Sequence, residues 1–333
     1  MTRYADKIAR IRAGSYRKGD YMIADAKDSD VTGGITTTGA RRDASGMPSG
    51  PRTRPEFLRQ IRTVVEQDVV DIMLTSAGNM AALREAGVFE GSAIQPAFRA
   101  NETTCVWGNV RGAGYAAQPS RPYRGADLGF APADLCLYSI TFNNDTEADA
   151  DALERYAAFR AEARDAGVRH FLEVFNPNIA GAVAPEDTGA FVTDCIIRLL
   201  ASLTPTERPE FLKVAYNGPE HMAALAAHDP SMVVGVLGGA GATHRDTFEL
   251  LAQSERHGAR LALFGRKINQ AEDQCALIAW MRRVADGETT PAEAVRGYHA
   301  DLATRGLQAD RTLEDDLRIT AESLCFDAVP EPV

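Results

Sequence analysis

The sequence predicts a (β/α)8 TIM barrel carrying extra C-terminal helices. Eight short apolar or β-rich runs recur along the 333 residues, most of them followed by an amphipathic helical pattern, and no linker or low-complexity tract divides the chain. Strands that alternate with helices build right-handed parallel βαβ units. Eight such units close into a barrel. Residues 1–333 therefore read as one barrel domain, with an N-terminal helix within 1–20 and a helical extension over 287–333.

The strands are expected at Tyr21–Lys27, Val69–Ser76, Thr104–Asn109, Leu135–Phe142, His170–Pro177, Phe211–Gly218, Met232–Gly239 and Ala259–Arg266. Their near-continuous apolar character is that of strands buried on both faces. Helices are clearest in the second half. Thr146–Ala166 is rich in Ala, Glu and Arg; Pro185–Leu203 has Pro and acidic residues in its first turn; Thr243–His257 starts at a hydroxyl cap and stops at Gly258. Gln270–Ala285 follows the last strand, and Pro291–Thr304 and Leu313–Leu324 are the additional helices. Two connections, 28–54 and 110–133, are long, poor in helix signal and rich in Gly and Arg. Long loops at the C-terminal ends of barrel strands are where substrates are enclosed.

Composition narrows the function classes. A formal net charge of −10 is the wrong footprint for nucleic acid, which needs clustered Lys and Arg. No stretch approaches the roughly 18 apolar residues of a membrane span. Residues 1–11 lack the apolar core of an export signal, and the five cysteines show neither a CxxC pair nor zinc-ligand spacing, so reduced thiols in the cytoplasm are expected. His221, His228, His244 and His257 have no carboxylate or i, i+4 partner in the local sequence, so no metal site is expected. The nucleophile elbow GxSxG of serine hydrolases is absent.

Chemistry is concentrated where charge interrupts an apolar strand. Lys213, in Phe211-Leu212-Lys213-Val214, is such a case. Burial lowers an amine's pKa and frees its lone pair for attack on a carbonyl, although a lysine at a strand end also snorkels or pairs with an acid. Glu173, in Phe171-Leu172-Glu173-Val174, repeats the pattern one strand earlier. It is a candidate proton shuttle to the amine, or its simple ion partner. Asp25 ends strand one and is a candidate base toward a substrate hydroxyl, with Lys27 a second amine, a phosphate contact or the partner of Asp25. Asn109 and Asn176 would supply amides at the same mouth. Gly238-Gly239 ends strand seven directly before a helix, and Gly265-Arg266 ends strand eight. Paired turns there form the phosphate position of many barrels.

With these residues in place, the chain resembles the class I aldolases of the DeoC/LacD and bacterial fructose-bisphosphate aldolase superfamily. The resemblance rests on the strand-six lysine in Phe211-Leu212-Lys213-Val214, on Gly238-Gly239, and on Gly265-Arg266-Lys267-Ile268-Asn269-Gln270 after strand eight. It implies that Lys213 forms a Schiff base, that Gly238, Gly239, Gly265 and Arg266 hold a phosphate, and that Asp25 transfers protons. Glu173 is similar to the strand-five glutamate of the tagatose-bisphosphate and sulfosugar branch. The fructose-bisphosphate branch has Asp-His-Gly after strand one, where this chain has Asp25-Ala26-Lys27, and its strand-five tyrosine is replaced by Phe175-Asn176. The resemblance implies a metal-independent carbon–carbon lyase acting on a small, phosphorylated carbonyl compound, without a cofactor, as a homo-oligomer. Two other readings keep the barrel: an acyl transferase, isomerase or epimerase on a sugar phosphate, and a barrel that binds sugar phosphates without turnover.

Overall fold

The computed structural model describes residues 2–43, 47–102, 110–239 and 242–326. Eight parallel strands close into a barrel: β1 (Met22–Lys27), β2 (Ile72–Ser76), β3 (Gln95–Arg99), β4 (Leu135–Thr141), β5 (Arg169–Phe175), β6 (Leu212–Val214), β7 (Val234–Leu237) and β8 (Leu261–Phe264). Each strand pairs with its sequence neighbours, and β8 closes on β1 through Met22↔Leu261 to Asp25↔Phe264.

One strand lies elsewhere than its sequence signal. The third position is taken by Gln-Pro-Ala-Phe-Arg at 95–99, and the expected run 104–109 lies outside the described residues. Pro96 reads as a strand breaker, because it cannot donate to a ladder. Here it sits at the second residue of the strand, opposite Met73.

Alternation sorts every strand into two faces. Met22, Ala24 and Ala26 of β1 share the lumen with Ile72, Leu74, Ala97, Leu135, Leu137, Phe171, Phe211, Val233, Leu261 and Leu263. The opposite face, with Ile23, Met73, Phe98, Cys136, Leu172, Leu212, Val236 and Phe264, packs under the helical layer. Helix Arg3–Arg12 adds Tyr4, Ile8 and Ile11 to the lumen cluster, so the N-terminal segment plugs the barrel.

The helices start and stop for local reasons. Helix Arg54–Gln67 opens with Pro at its first turn and a capping box from Thr53 to Glu56. Helix Thr146–Asp165 is capped by Asp145, and Gly167 behind it takes φ +69°. No α-helix joins β3 to β4 among the described residues; the connection has two short 3-10 turns, Tyr115–Ala117 and Leu128–Phe130, and Tyr123–Arg124 pairs antiparallel with Asn101–Glu102. The other long connection folds into two short helical turns and an antiparallel pair, Ala40–Arg42 with Pro48–Pro51.

The C-terminal extension is less helical than its sequence suggests. Pro291–Thr304 forms as expected, but Leu313–Asp316 lasts four residues. The helix is capped at Leu317, and beyond it the backbone N–H groups of Thr320 and Ala321 donate to the Asp246 carboxylate.

Candidate active site

The C-terminal mouth of the barrel holds a continuous line of charge. Lys213 and Glu173 are register partners on β6 and β5, and Lys213 Nζ lies 2.5 Å from Glu173 Oε1. Glu173 Oε2 accepts from the Ser139 hydroxyl of β4 at 2.6 Å and from Arg99 Nη2 of β3 at 3.2 Å. Arg99 in turn reaches across the mouth and donates through Nε to Asp28 Oδ2 at 2.5 Å. The order is therefore cation, anion, cation, anion: Lys213, Glu173, Arg99, Asp28. All four are buried, with relative exposures of 6%, 1%, 6% and 5%.

Burial of so many charges is tolerated because each is paired and hydrogen-bonded. Burial alone would lower the Arg99 pKa, but Asp28, Glu102 and Glu173 more than reverse this, and Arg99 stays protonated. Burial would likewise raise Asp28, yet Arg99 and Lys213 outweigh it and hold its carboxyl below the usual range. Arg99 is fixed further by donating to the Asn101 carbonyl at 3.2 Å, while Asn101 exchanges hydrogen bonds with the Ser139 backbone at 2.7 and 2.8 Å. Beside Asp28, Asp30 accepts from Ser76 and Asn79, both at 2.9 Å.

Asp25 and Lys27 are not part of this line. Asp25 pairs in register with Met73 and Phe264, both on the outer face, so its side chain and that of Lys27 project away from the lumen. There they form a fully buried pair at 3.1 Å, and Lys27 donates to Gln274 of helix Gln274–Ala285 at 2.8 Å. Gln274 donates in turn to Gln60 of helix Arg54–Gln67 at 2.7 Å. Burial pushes the Asp25 carboxyl up to about 6 despite Lys27, and burial lowers Lys27. The expectation that Asp25 and Lys27 face the reaction is corrected by period-two alternation: the inward acid of this strand is Asp28, one residue beyond its end.

The glycine turns divide between packing and site. A Cβ on Gly238 would come within 2.5 Å of the Phe264 ring, and one on Gly265 within 2.8 Å of the Ala26 carbonyl. The Gly238 N–H donates to Leu263 O at 2.7 Å, so it is spent on the barrel ladder. Gly239, at φ +61°, and Arg266 border a cavity of about 820 Å3, together with Arg42, Arg111, Lys267 and Arg311. Arg42 is already paired with Asp310 through two contacts of 2.9 and 2.7 Å. Lys213 does not line this cavity, whose cations come from the connection after β1 (Arg42), the β3–β4 connection (Arg111), the segment after β8 (Arg266, Lys267) and the C-terminal extension (Arg311).

The helix that follows β7, His244–Arg256, does not offer a free N-terminus. Its first donors are taken within the protein: the His244 N–H by Asp316 Oδ1 at 2.7 Å, and the Asp246 N–H by Thr243 Oγ1 at 3.1 Å. The anion expected there from a ligand is supplied in part by the Asp316 carboxylate. His244 therefore has the acidic partner that its local sequence lacked, 72 residues away.

Asn176 pairs with Asn217 through reciprocal amide bonds of 2.8 and 3.0 Å at the ends of β5 and β6. Asn109 lies outside the described residues. Asp28, Arg99 and Ser139 escaped notice in the sequence. The available signal was strict alternation from Glu173 and Lys213 across the neighbouring strands, which marks Ser139, and Arg99 once β3 is correctly placed.

No family model matches the sequence. No curated protein matches it either. Solved structures do match the fold. A Schiff-base-forming fructose-1,6-bisphosphate aldolase is 16% identical, with 85% of this chain and 99% of that chain covered and a TM-score of 0.61. The fructose-bisphosphate aldolase from Slackia heliotrinireducens is 15% identical, with 93% and 92% covered and a TM-score of 0.62. A Corynebacterium glutamicum protein is 18% identical, with 86% and 98% covered and a TM-score of 0.57. The chain thus has the barrel fold of the Schiff-base fructose-bisphosphate aldolases.

Proposed function

We propose that this protein is a class I, Schiff-base aldolase, a carbon–carbon lyase for a small phosphorylated keto compound. The observation that carries the reading is the 2.5 Å contact between Lys213 Nζ and Glu173 Oε1 at the mouth of an aldolase-type barrel. A carboxylate at that distance is the nearest acceptor for the ammonium proton, which must leave before the amine can add to a carbonyl.

The steps follow from the line of charges. Lys213 nitrogen adds to the carbonyl carbon, the carbonyl π pair moves to oxygen, and a proton passes from the now cationic nitrogen to that oxygen to give the neutral carbinolamine. Glu173 returns the proton it received, water leaves, and an iminium forms. Asp28 takes the proton from the hydroxyl β to the iminium carbon; the carbon–carbon bond breaks, its electron pair enters the iminium, and an aldehyde departs. The enamine left behind takes at carbon the proton that Asp28 received, water adds to the iminium so formed, and the ketone is released with Lys213 restored. Arg99 holds Glu173 and Asp28 in position, and Ser139 fixes the Glu173 oxygen that faces away from the amine.

The guanidinium and ammonium groups of Arg111, Arg266, Lys267 and Arg311 around the 820 Å3 cavity support an anionic substrate. Gly239 and Arg266 are its proposed phosphate contacts, with Gly238 and Gly265 required for strand packing. The reading carries with it one barrel domain over 1–333 and a cytoplasmic homo-oligomer.

The test is a panel of phosphorylated ketoses, including fructose 1,6-bisphosphate, the compound named for the structural relatives. Aldehyde release and ketose-dependent inactivation by borohydride are expected with at least one member. Turnover without borohydride sensitivity points to another chemistry at this site.

A further inference from the structure

His244, His299 and Asp316 meet at one buried point contributed by three separate helices, His244–Arg256, Pro291–Thr304 and Leu313–Asp316. His244 Nδ1 lies 2.6 Å and His299 Nε2 2.9 Å from the same carboxylate oxygen, Asp316 Oδ2. One ligand atom from each falls within 4.8 Å of the others. We propose that these three side chains bind a divalent cation of the zinc class, through His244 Nδ1, His299 Nε2 and Asp316 Oδ2.

The donor set is the first argument. Two imidazoles and one carboxylate are a borderline-soft group suited to zinc or cobalt rather than to magnesium or calcium. Zinc with ligand bonds near 2.0 Å spaces tetrahedral donor atoms by roughly 3.3 Å, so loading opens the two contacts to Asp316 Oδ2 by about 0.4 to 0.7 Å.

The surroundings are the second argument: one ligand is hydrogen-bonded from behind, and a carboxylate lies just beyond hydrogen-bond reach of another. Asp316 Oδ1, the oxygen not used, accepts from the His244 N–H at 2.7 Å. His244 Nε2, the nitrogen not used, faces Glu272 Oε2 at 3.7 Å. Glu272 is itself anchored, accepting from the Tyr298 hydroxyl at 2.9 Å and from the Asp310 N–H at 2.7 Å. A carboxylate behind a ligating imidazole fixes its tautomer and orientation.

Three protein ligands leave one coordination position for water or an anion. His244 and Glu272 border the same cavity as Arg266 and Lys267, so that position has a route to the anionic ligand proposed above. The cation would also tie the short helix Leu313–Asp316 to the barrel. The site is separate from Lys213 and stands whether or not the Schiff-base reading holds.

The test uses the full chain, stripped with chelator and titrated with cobalt(II), then with competing zinc. The expected result is one equivalent bound, with the visible absorption of a four-coordinate cobalt centre that zinc abolishes. His299→Ala should remove the signal, and Glu272→Gln, which keeps all three ligands, should weaken affinity about 10- to 100-fold. His221→Ala should leave it unchanged. Absence of stoichiometric cobalt or zinc uptake by the wild-type chain would overturn the proposal and leave a hydrogen-bonded clasp only. So would uptake that survives His299→Ala in folded protein.

Discussion

Lys213 Nζ and Glu173 Oε1 are 2.5 Å apart on adjacent parallel strands, and nothing else on the Glu173 headgroup is free, because Ser139 and Arg99 occupy its second oxygen. One oxygen thus serves the amine and the other is held. Glu173→Gln keeps the shape and removes the proton acceptor. Its kcat should fall about 10²- to 10⁴-fold, the ordinary contribution of a positioned acid–base group. Circular dichroism alongside the kinetics separates this from unfolding.

Asp25, on the outer face of β1, and Asp28, one residue past its end and turned to the mouth, predict opposite phenotypes. Asp28→Asn should lose about 10²- to 10⁴-fold in kcat. Asp25→Asn should leave kcat nearly intact while destabilising the fold by roughly 3–5 kcal/mol, because Lys27 is left buried without its counter-charge. Adding Lys27→Met to Asp25→Asn should recover most of that loss. Denaturant titration of the three variants, with kcat beside it, checks the assignment.

Arg99→Lys keeps the charge but not the fork. A single ammonium cannot span Asp28, Glu173, Ser139 and the Asn101 carbonyl at once. Misplacement of both acids by an ångström is expected to lower kcat about 100-fold. A drop in KM alone, with kcat unchanged, would show that Arg99 does not position the reacting groups.

Lys267 gives a pH signature. Burial, with help from Arg311, lowers its pKa to about 8, and Lys267 Nζ donates to the Thr243 carbonyl at 3.1 Å beside the cavity. The folded value lies below the ordinary one of 10.5, so folding favours the neutral amine, and the stability this group contributes rises between about pH 8 and 10.5. Anion binding runs the other way, since the cavity loses a cation as pH climbs through about 8. KM for a phosphorylated substrate should rise across that interval. Lys267→Arg should flatten the rise, as a guanidinium stays charged.

Much of this was legible before any coordinates. The strand count follows from the eight apolar runs, although the third strand lies at 95–99 rather than 104–109, and the charges that interrupt two of the runs mark Lys213 and Glu173, which the structure brings together. Asp25 was misleading because an acid at a strand end looks the same on either face, and only the register with Met73 and Phe264 tells which way it points. Arg99 was hidden by Pro96, which disguised β3. His244, His299 and Asp316 have no local pattern at all: their meeting depends on how two C-terminal segments fold back onto the barrel.

The account stands or falls on which nitrogen carries the substrate. Borohydride reduction in the presence of a ketose that the protein turns over, followed by peptide mass analysis, reads this directly. The prediction is a single reduced adduct on Lys213, absent from Lys213→Met. An adduct on Lys27 or Lys267, or full turnover with no adduct, would contradict it.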